Sequence, residues 1–488
     1  MTAIDPAGQG RRGVTLARGR ARPDVPDSPL LEWVQKWILH HNIEHLHGPR
    51  EVDYAVDELV VLVVARDGRP YIESFVEHYR SLGVKHMVFL DNGSVDGTVE
   101  ALKKYEDVTV LRTKLHFERY AISMRQYLIE RFGRGRWTLT VDQDELFDYP
   151  YSDVVSLKAF LRYLNENSYS AVVAQWLDMF SEKLFSRGAG DEDGPLKEVH
   201  RFYDLSNIRA QSYETVGDIG NVLANEEIKI LRDGMVHTLF GFRALLTKHP
   251  LIFLDDKIKP MDLSEHWAGN ARVADLTGVL FHYKNPSHFY EVIQRKVKER
   301  HPDMYQRRWD AYFEALNDAS RVSVLPETAR ELKSVNDLVG TDFAVVSREY
   351  LELVEREERR NGLDEEATRH RLLEAFFNAR AEAHAQSRKA SALEQLRREL
   401  EQQLNALDRK LGENERLPEQ LKPRKVKKLQ EQLHDKARQL GQLQDRLVTE
   451  RRKADSLERQ LASIRASKSW RLLDRLNRAK ERILIKIR

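Results

Sequence analysis

The feature that most limits what this chain can fold into is a series of short apolar runs, each closed by a polar cluster. Leu59-Val60-Val61-Leu62-Val63-Val64 is continuous and rich in β-branched residues, the pattern of a strand buried on both faces. Arg66-Asp67-Gly68-Arg69-Pro70 closes it. His86-Met87-Val88-Phe89-Leu90 runs into the turn Asp91-Asn92-Gly93-Ser94. Val108-Thr109-Val110-Leu111 follows, then Trp137-Thr138-Leu139-Thr140-Val141, which ends at Asp142. Helical patterns lie between these runs. Ile72, Phe75, Val76 and Tyr79 share one face of a helix that stops at Gly83, a second helix covers roughly Asp96 to Tyr105, and a third roughly Tyr120 to Arg131. This alternation predicts an α/β domain with a mostly parallel mixed sheet flanked by helices. Ligands bind such sheets beyond the carboxyl ends of the strands, so Arg66, Asp91 to Ser94 and Asp142 to Glu145 are expected along that edge.

The remainder of the 488 residues divides by composition. Residues 1–27, rich in Gly, Arg and Pro, read as a disordered tail. Residues 28–56 hold a helix over about 29–48, with Leu31, Trp33, Val34, Ile38 and Leu39 available for packing, and a linker. The α/β domain is expected over 57–295, with Ser186 to Pro195 a Gly- and acid-rich loop. Residues 296–387 read as a helical extension. Charged residues reach 32% of the chain, against about 25% in globular proteins, and most of the excess falls after residue 345.

Over 388–464 the pattern becomes that of a coiled coil with a break near 412–428. Leu433, Leu440, Leu447, Ala454 and Leu461 are spaced by seven, and Leu443, Leu457 and Ile464 form the companion series, with Glu450 its charged member. Such a seam is a helix–helix interface. The earlier piece, with Leu393, Leu396, Leu400, Leu404, Leu407 and Leu411, is helical but drifts off a strict seven. Pro418 and Pro423 separate the two pieces, since proline breaks a helix interior. The segment fits either an antiparallel hairpin or two rods in a homo-oligomer. Residues 465–488 carry nine Lys or Arg against Asp474 and Glu481, with Leu472, Leu476, Ala479, Ile483 and Ile487 on one face. A basic helix of this kind can lie on an anionic membrane surface; it can equally dock on the folded domain or continue the coiled coil.

Net charge is only +2, which argues against nucleic acid as a partner. Cysteine is absent, so any metal is held by oxygen or imidazole, and a reducing compartment fits. No apolar run approaches the roughly 20 residues that span a bilayer, and Arg11, Arg12, Arg18, Arg20 and Arg22 are followed by no apolar stretch of a secretory signal. A cytoplasmic protein is expected, with peripheral contact at the inner membrane face through the basic C-terminal helix.

Three clusters can carry chemistry. Asp142-Gln143-Asp144-Glu145 crowds three carboxylates at a strand end, where they repel and are costly to bury. A hard divalent cation, Mn²⁺ or Mg²⁺, would resolve this; an acidic loop with solvated charges is the other reading. Asp91 to Thr98 has the composition of tight turns, with Asp96 placed to cap a helix; Asp91 could also hydrogen-bond a base or ribose. Asp262, Glu265, His266, His282, Lys284 and His288 form the third group. His282, at the end of the expected strand Leu276 to Phe281, could complete a metal site as a neutral imidazole or be a structural histidine.

Taken in order, Val64-Ala65-Arg66-Asp67-Gly68, Asp91-Asn92-Gly93-Ser94-Val95-Asp96-Gly97-Thr98, Trp137 through Asp142-Gln143-Asp144-Glu145-Leu146-Phe147, Ser264-Glu265-His266-Trp267 and His282-Tyr283-Lys284 resemble the family 2 glycosyltransferases. The likeness is to a bacterial subgroup and covers about 57–295. It implies a GT-A, Rossmann-like fold, a nucleotide-sugar donor, and a glycan or lipid-linked acceptor in surface polysaccharide assembly. Arg66, Asp91 and Ser94 would border the nucleotide. Asp142 and Asp144 would serve metal and diphosphate, with Asp144 the direct ligand. His282 would be a third ligand or a diphosphate contact. Arg125 matches a basic position near sugar or phosphate, although Gln126 follows it where Asn is commoner. Inversion in one displacement requires a base for the acceptor hydroxyl; Glu265, Asp178 and Glu145 are the candidates, with Glu265 preferred. Two rivals are a nucleotidyltransferase, which would ordinarily show a Gly-rich phosphate loop that Arg66-Asp67-Gly68-Arg69 is too short to be, and a coiled-coil scaffold with an inactive domain.

Overall fold

The computed structural model describes residues 29–182, 194–217, 219–241, 243–261, 264, 266–283, 289–299, 303–317, 328–361, 389–410 and 422–466. Two compact units emerge, Met1–Glu145 with Pro250–Ala271, and Leu146–His249 with Arg272–Arg488.

The first unit is built on the four predicted strands, here β2 (Leu59–Ala65), β3 (His86–Asp91), β4 (Val108–Arg112) and β5 (Trp137–Val141), joined by an unpredicted β1 (Glu44–His47), in the spatial order β1-β4-β3-β2-β5. β4, β3, β2 and β5 run parallel, in registers that set Ala65 beside Asp91 and Asp91 beside Arg112. Leu251, Ile252 and Phe253 pair antiparallel with β5. All seven residues of β2 are buried, as a two-sided strand requires. The helices are α1 (Pro29–His41), α2 (Ile72–Leu82), α3 (Thr98–Leu102) and α4 (Phe117–Phe132). α2 lays Phe75 against Phe89, with ring centroids 5.5 Å apart, and ends at Gly83 with φ of 92°, a left-handed cap that glycine adopts without strain.

The N-terminal segment departs from expectation. The helix stops at His41, and Glu44–His47 becomes an edge strand, antiparallel to β4. Trp33 is not packed but exposed, whereas Gln35 and Leu39 face the protein.

In the second unit, Ala171–Asp178 and Arg272–His282 run parallel, with His282 level with Asp178. Phe147 lies against Gly278, at a spot a β-carbon would occupy. Helices Phe289–Glu299 and Asp303–Asn317 share a small core of Ile293, Tyr312 and Leu316. The expected helical extension is helical only in part. Arg330-Glu331 is a strand and Val335–Leu338 a single 3₁₀ turn before the helix Arg348–Arg360. The intervening chain instead bonds the sheet: Thr277 N–H donates to the Val345 carbonyl at 2.9 Å, and the Thr277 hydroxyl to that of Phe343 at 2.9 Å.

The C-terminal helices, over 389–410 and Lys422–Ala466, pack on one another within the chain. Lys389 pairs with Glu450 at 3.5 Å and Arg451 with Glu394 at 3.2 Å. A parallel arrangement would set residue 410 near 467, about 68 Å from residue 422 along a 1.5 Å rise, farther than twelve residues can reach at about 3.5 Å each. The pair is therefore an antiparallel hairpin. The apolar stripe of its first helix is also more regular than the leucines alone suggest. Leu393, Arg397, Leu400, Leu404 and Leu407 are half-buried and Leu396 is exposed, so the stripe steps by four and three and passes through Arg397 rather than through the Leu396 of the expected series.

Candidate active site

The ends of β2, β3 and β5 carry the clusters singled out above, and hydrogen bonds tie their loops together. Asp67 adopts the left-handed region at φ 49°. From there its N–H donates to Ser94 Oγ at 2.9 Å, and its carboxylate accepts from Val95 N–H at 3.0 Å. Gly68 N–H donates to Thr98 Oγ1 and Arg69 N–H to Asp96 Oδ2. Asp96 also accepts from Thr98 N–H, with Gly97 at the helix cap position, so its capping is shared between two loops. Burial alone would raise the Asp96 carboxyl, but these donors outweigh it and its pKa is lowered.

Asp91 is fully buried. It accepts from Gly93 N–H at 3.2 Å, Ser94 N–H at 3.1 Å and Arg112 Nε at 2.9 Å. The turn and the neighbouring strand thus compensate its charge internally. Ser94 likewise spends its hydroxyl oxygen on Asp67 N–H.

Gln143 links the first loop to the acidic turn. Arg66 N–H donates to Gln143 Oε1 at 3.1 Å, while Gln143 Nε2 donates to the Arg66 carbonyl at 3.0 Å. This reciprocal pair lays the carboxamide over Gly68, where a β-carbon would collide with it. Sequence reasoning passed over Gln143 as the spacer between two aspartates; a side chain able to donate and accept at once was the available signal.

The acidic turn has two more internal supports. Arg125, nearly buried on α4, donates from Nη2 to Asp142 Oδ1 at 2.7 Å. Glu145 is fully buried, and its Oε2 accepts from Asp142 N–H at 3.1 Å, while the Tyr79 hydroxyl donates to the Glu145 carbonyl at 3.0 Å. Asp144 is partly exposed. Burial, then the negative charge of Asp144, raises the pKa of the Tyr71 phenol well above its ordinary value, so Tyr71 remains protonated beside the turn. Tyr71 was absent from the sequence expectations. The Arg66 side chain is largely exposed and lies 3.9 Å from Asp67.

Two other candidates meet in the second unit. His282 Nδ1 and Asp178 Oδ1 are 2.6 Å apart. The Trp176 ring lies 4.3 Å from the His282 ring, and Lys248 Nζ sits 4.2 Å above the Trp176 ring. With Asp178 as acceptor, a neutral His282 carries its proton on Nδ1 and directs the lone pair of Nε2 outward from the pair. Glu265, Asp262, Lys284 and His288 lie outside the described residues, as do residues 1–28 and 467–488.

Residues 60–221 match the family model described as "Glycosyl transferase family 2". With the mostly parallel, helix-flanked sheet, that match identifies the fold as the GT-A type of α/β domain. No curated protein matches the chain. A solved structure titled "The Crystal Structure of UDP-glucose pyrophosphorylase complexed with UDP-glucose" is 9% identical, with 62% of this chain and 99% of that chain covered and a TM-score of 0.19; at that score it supports no argument about fold or chemistry.

Proposed function

We propose that this chain, a glycosyltransferase by virtue of its family 2 domain, moves a sugar from a nucleotide-diphosphate sugar to a glycan or lipid-linked acceptor, with inversion and with the help of Mn²⁺ or Mg²⁺, in the assembly of a surface polysaccharide. The observation that carries the reading is the acidic turn: Arg125, Glu145 and Gln143 fix its backbone and one of its carboxylates at the end of β5, beside loops that are themselves cross-tied.

The donor set fits a hard cation. Asp142 and Asp144 supply oxygen, and no cluster of three or more His, Asp or Glu suited to a metal occurs among the described residues. Mg²⁺ and Mn²⁺ commonly take one or two carboxylates and complete their shell with phosphate oxygens and water, which two aspartates allow. When bound, the metal neutralises charge that develops on the departing nucleoside diphosphate. Asp144 is its proposed direct ligand. Asp142, held by Arg125, orients the turn and takes a secondary part. Asp91, Ser94 and Arg66 shape the loops that border the nucleotide, the first two from within. Glu145 supports the turn rather than taking a proton, since its carboxylate is buried on Asp142 N–H. His282, its ring oriented by Asp178, keeps the role that the resemblance implies. That leaves Glu265 as the preferred base. The helical hairpin is proposed to join copies of the chain through a coiled coil, and residues 465–488 to contact membrane.

The test is incubation of the full chain with UDP-, GDP- and TDP-sugars, with and without Mn²⁺. Metal-dependent release of nucleoside diphosphate from one class supports the reading. Formation of nucleoside triphosphate and sugar 1-phosphate on addition of pyrophosphate would instead favour a nucleotidyltransferase, and no product from any donor would favour an inactive domain.

A further inference from the structure

The helix α1 is packed the wrong way round for its composition. Gln35 and Leu39, four apart, are buried against the protein at 4% and 0% exposure, while Trp33 and Trp37, also four apart, are 61% and 53% exposed. Residues at i and i+4 share a helix face, so one face of α1 offers two adjacent indoles to its surroundings while a glutamine fills the protein side. The face is held firmly. Lys36 Nζ donates to Glu130 of α4 at 3.1 Å and the His40 ring lies 6.0 Å from that of Tyr127 on α4, while the Trp37 ring is tilted against that of His41 on α1 itself, 4.3 Å away. Exposed tryptophans on a fixed helix are a binding face in search of a partner.

The area argues against a second copy of the chain. Two aromatic side chains cover at most about 150–250 Å² each, against the roughly 800 Å² per partner of a stable interface. A lipid surface makes no such demand. Indoles favour the boundary between head groups and acyl chains, and a small apolar insertion becomes an anchor when a basic segment adds attraction to anionic lipid. The sequence supplies that segment next to α1: Arg11, Arg12, Arg18, Arg20 and Arg22 occur in a stretch, residues 6–23, with no acidic residue. We infer that Trp33 and Trp37 form an interfacial membrane anchor that works together with these arginines to hold the protein on an anionic bilayer. This anchor is separate from residues 465–488 and independent of the transfer reaction.

The test is co-sedimentation of the full chain with vesicles of phosphatidylcholine alone and with added phosphatidylglycerol. Wild type is expected to pellet with the anionic vesicles. Trp33→Ala/Trp37→Ala, with unchanged circular dichroism, is expected to lower the pelleted fraction at least threefold, as is replacing the five arginines with serine. Brominated lipid is expected to quench tryptophan fluorescence more in wild type than in the double variant. Equal pelleting and equal quenching of wild type and the tryptophan variant overturn the proposal. So does a tryptophan variant that pellets normally but shows a lower particle mass by light scattering, which would make the face a contact between copies.

Discussion

Arg125 and Asp142 are joined at 2.7 Å, and the arginine is the buried partner: its side chain is 10% exposed against 36% for the aspartate. The cost of breaking such a pair falls on whichever charge stays behind in the protein. Asp142→Ala strands a buried guanidinium and is expected to destabilise the chain by about 3 kcal/mol. Arg125→Met keeps the stem and leaves a carboxylate that water can reach, for a loss of about 1 kcal/mol. Urea unfolding of the two variants measures the difference, and equal losses would show that the burial of the arginine does not set the cost.

Gly68 and Gln143 form a second coupled pair. Gly68→Ala pushes a methyl group into the Gln143 carboxamide and is expected to cost about 2 kcal/mol. In Gln143→Ala the obstacle is gone, so the glycine change should cost little there. A double-mutant cycle would reveal a coupling of at least about 1 kcal/mol; strict additivity would mean that the loop after β2 moves aside freely.

Much of this frame was legible in the sequence because it depends on short-range pattern. The unbroken run in β2, the stop at Gly83 and the polar clusters after β2, β3 and β5 all follow from periodicity and turn chemistry. What stayed hidden was decided by partners remote in sequence. Asp91 looked able to touch a nucleotide because nothing local says that Arg112, on the adjacent strand, reaches its carboxylate. Asp178 and His282 were set apart as base and ligand, although a parallel register places them level. Arg397 was passed over because an apolar stripe is sought among leucines. Trp33 was assigned to packing because hydrophobicity alone does not say which face of a helix meets the protein.

The Asp178–His282 contact predicts a tautomer. Nitrogen-15 spectra of histidine-labelled protein at neutral pH should show His282 protonated on Nδ1, and Asp178→Asn should weaken that preference. A wild-type ring protonated on Nε2 would contradict the orienting role given to Asp178.

His200 predicts a pH dependence. Burial pushes its imidazole down to about 4 from an ordinary value near 6.5. Between those values the unfolded chain binds the extra proton, so the stability that a neutral buried ring permits is complete above pH 6.5 and falls as the pH drops toward 4. The full effect is about 3 kcal/mol. Urea midpoints at pH 7 and pH 4.5 should differ less in His200→Gln than in wild type; an unchanged pH dependence would remove His200 as its source.

The central claim, that the turn at the end of β5 holds donor diphosphate through a metal, is tested most directly by calorimetry of the full chain and of Asp144→Ala with the nucleotide-sugar that the donor screen identifies, each with and without Mn²⁺. The expected result is Mn²⁺-dependent binding in wild type and its loss, by at least a hundredfold in Kd, in an Asp144→Ala protein that unfolds at the wild-type urea midpoint. Metal-dependent binding of equal strength in the two proteins would contradict the account.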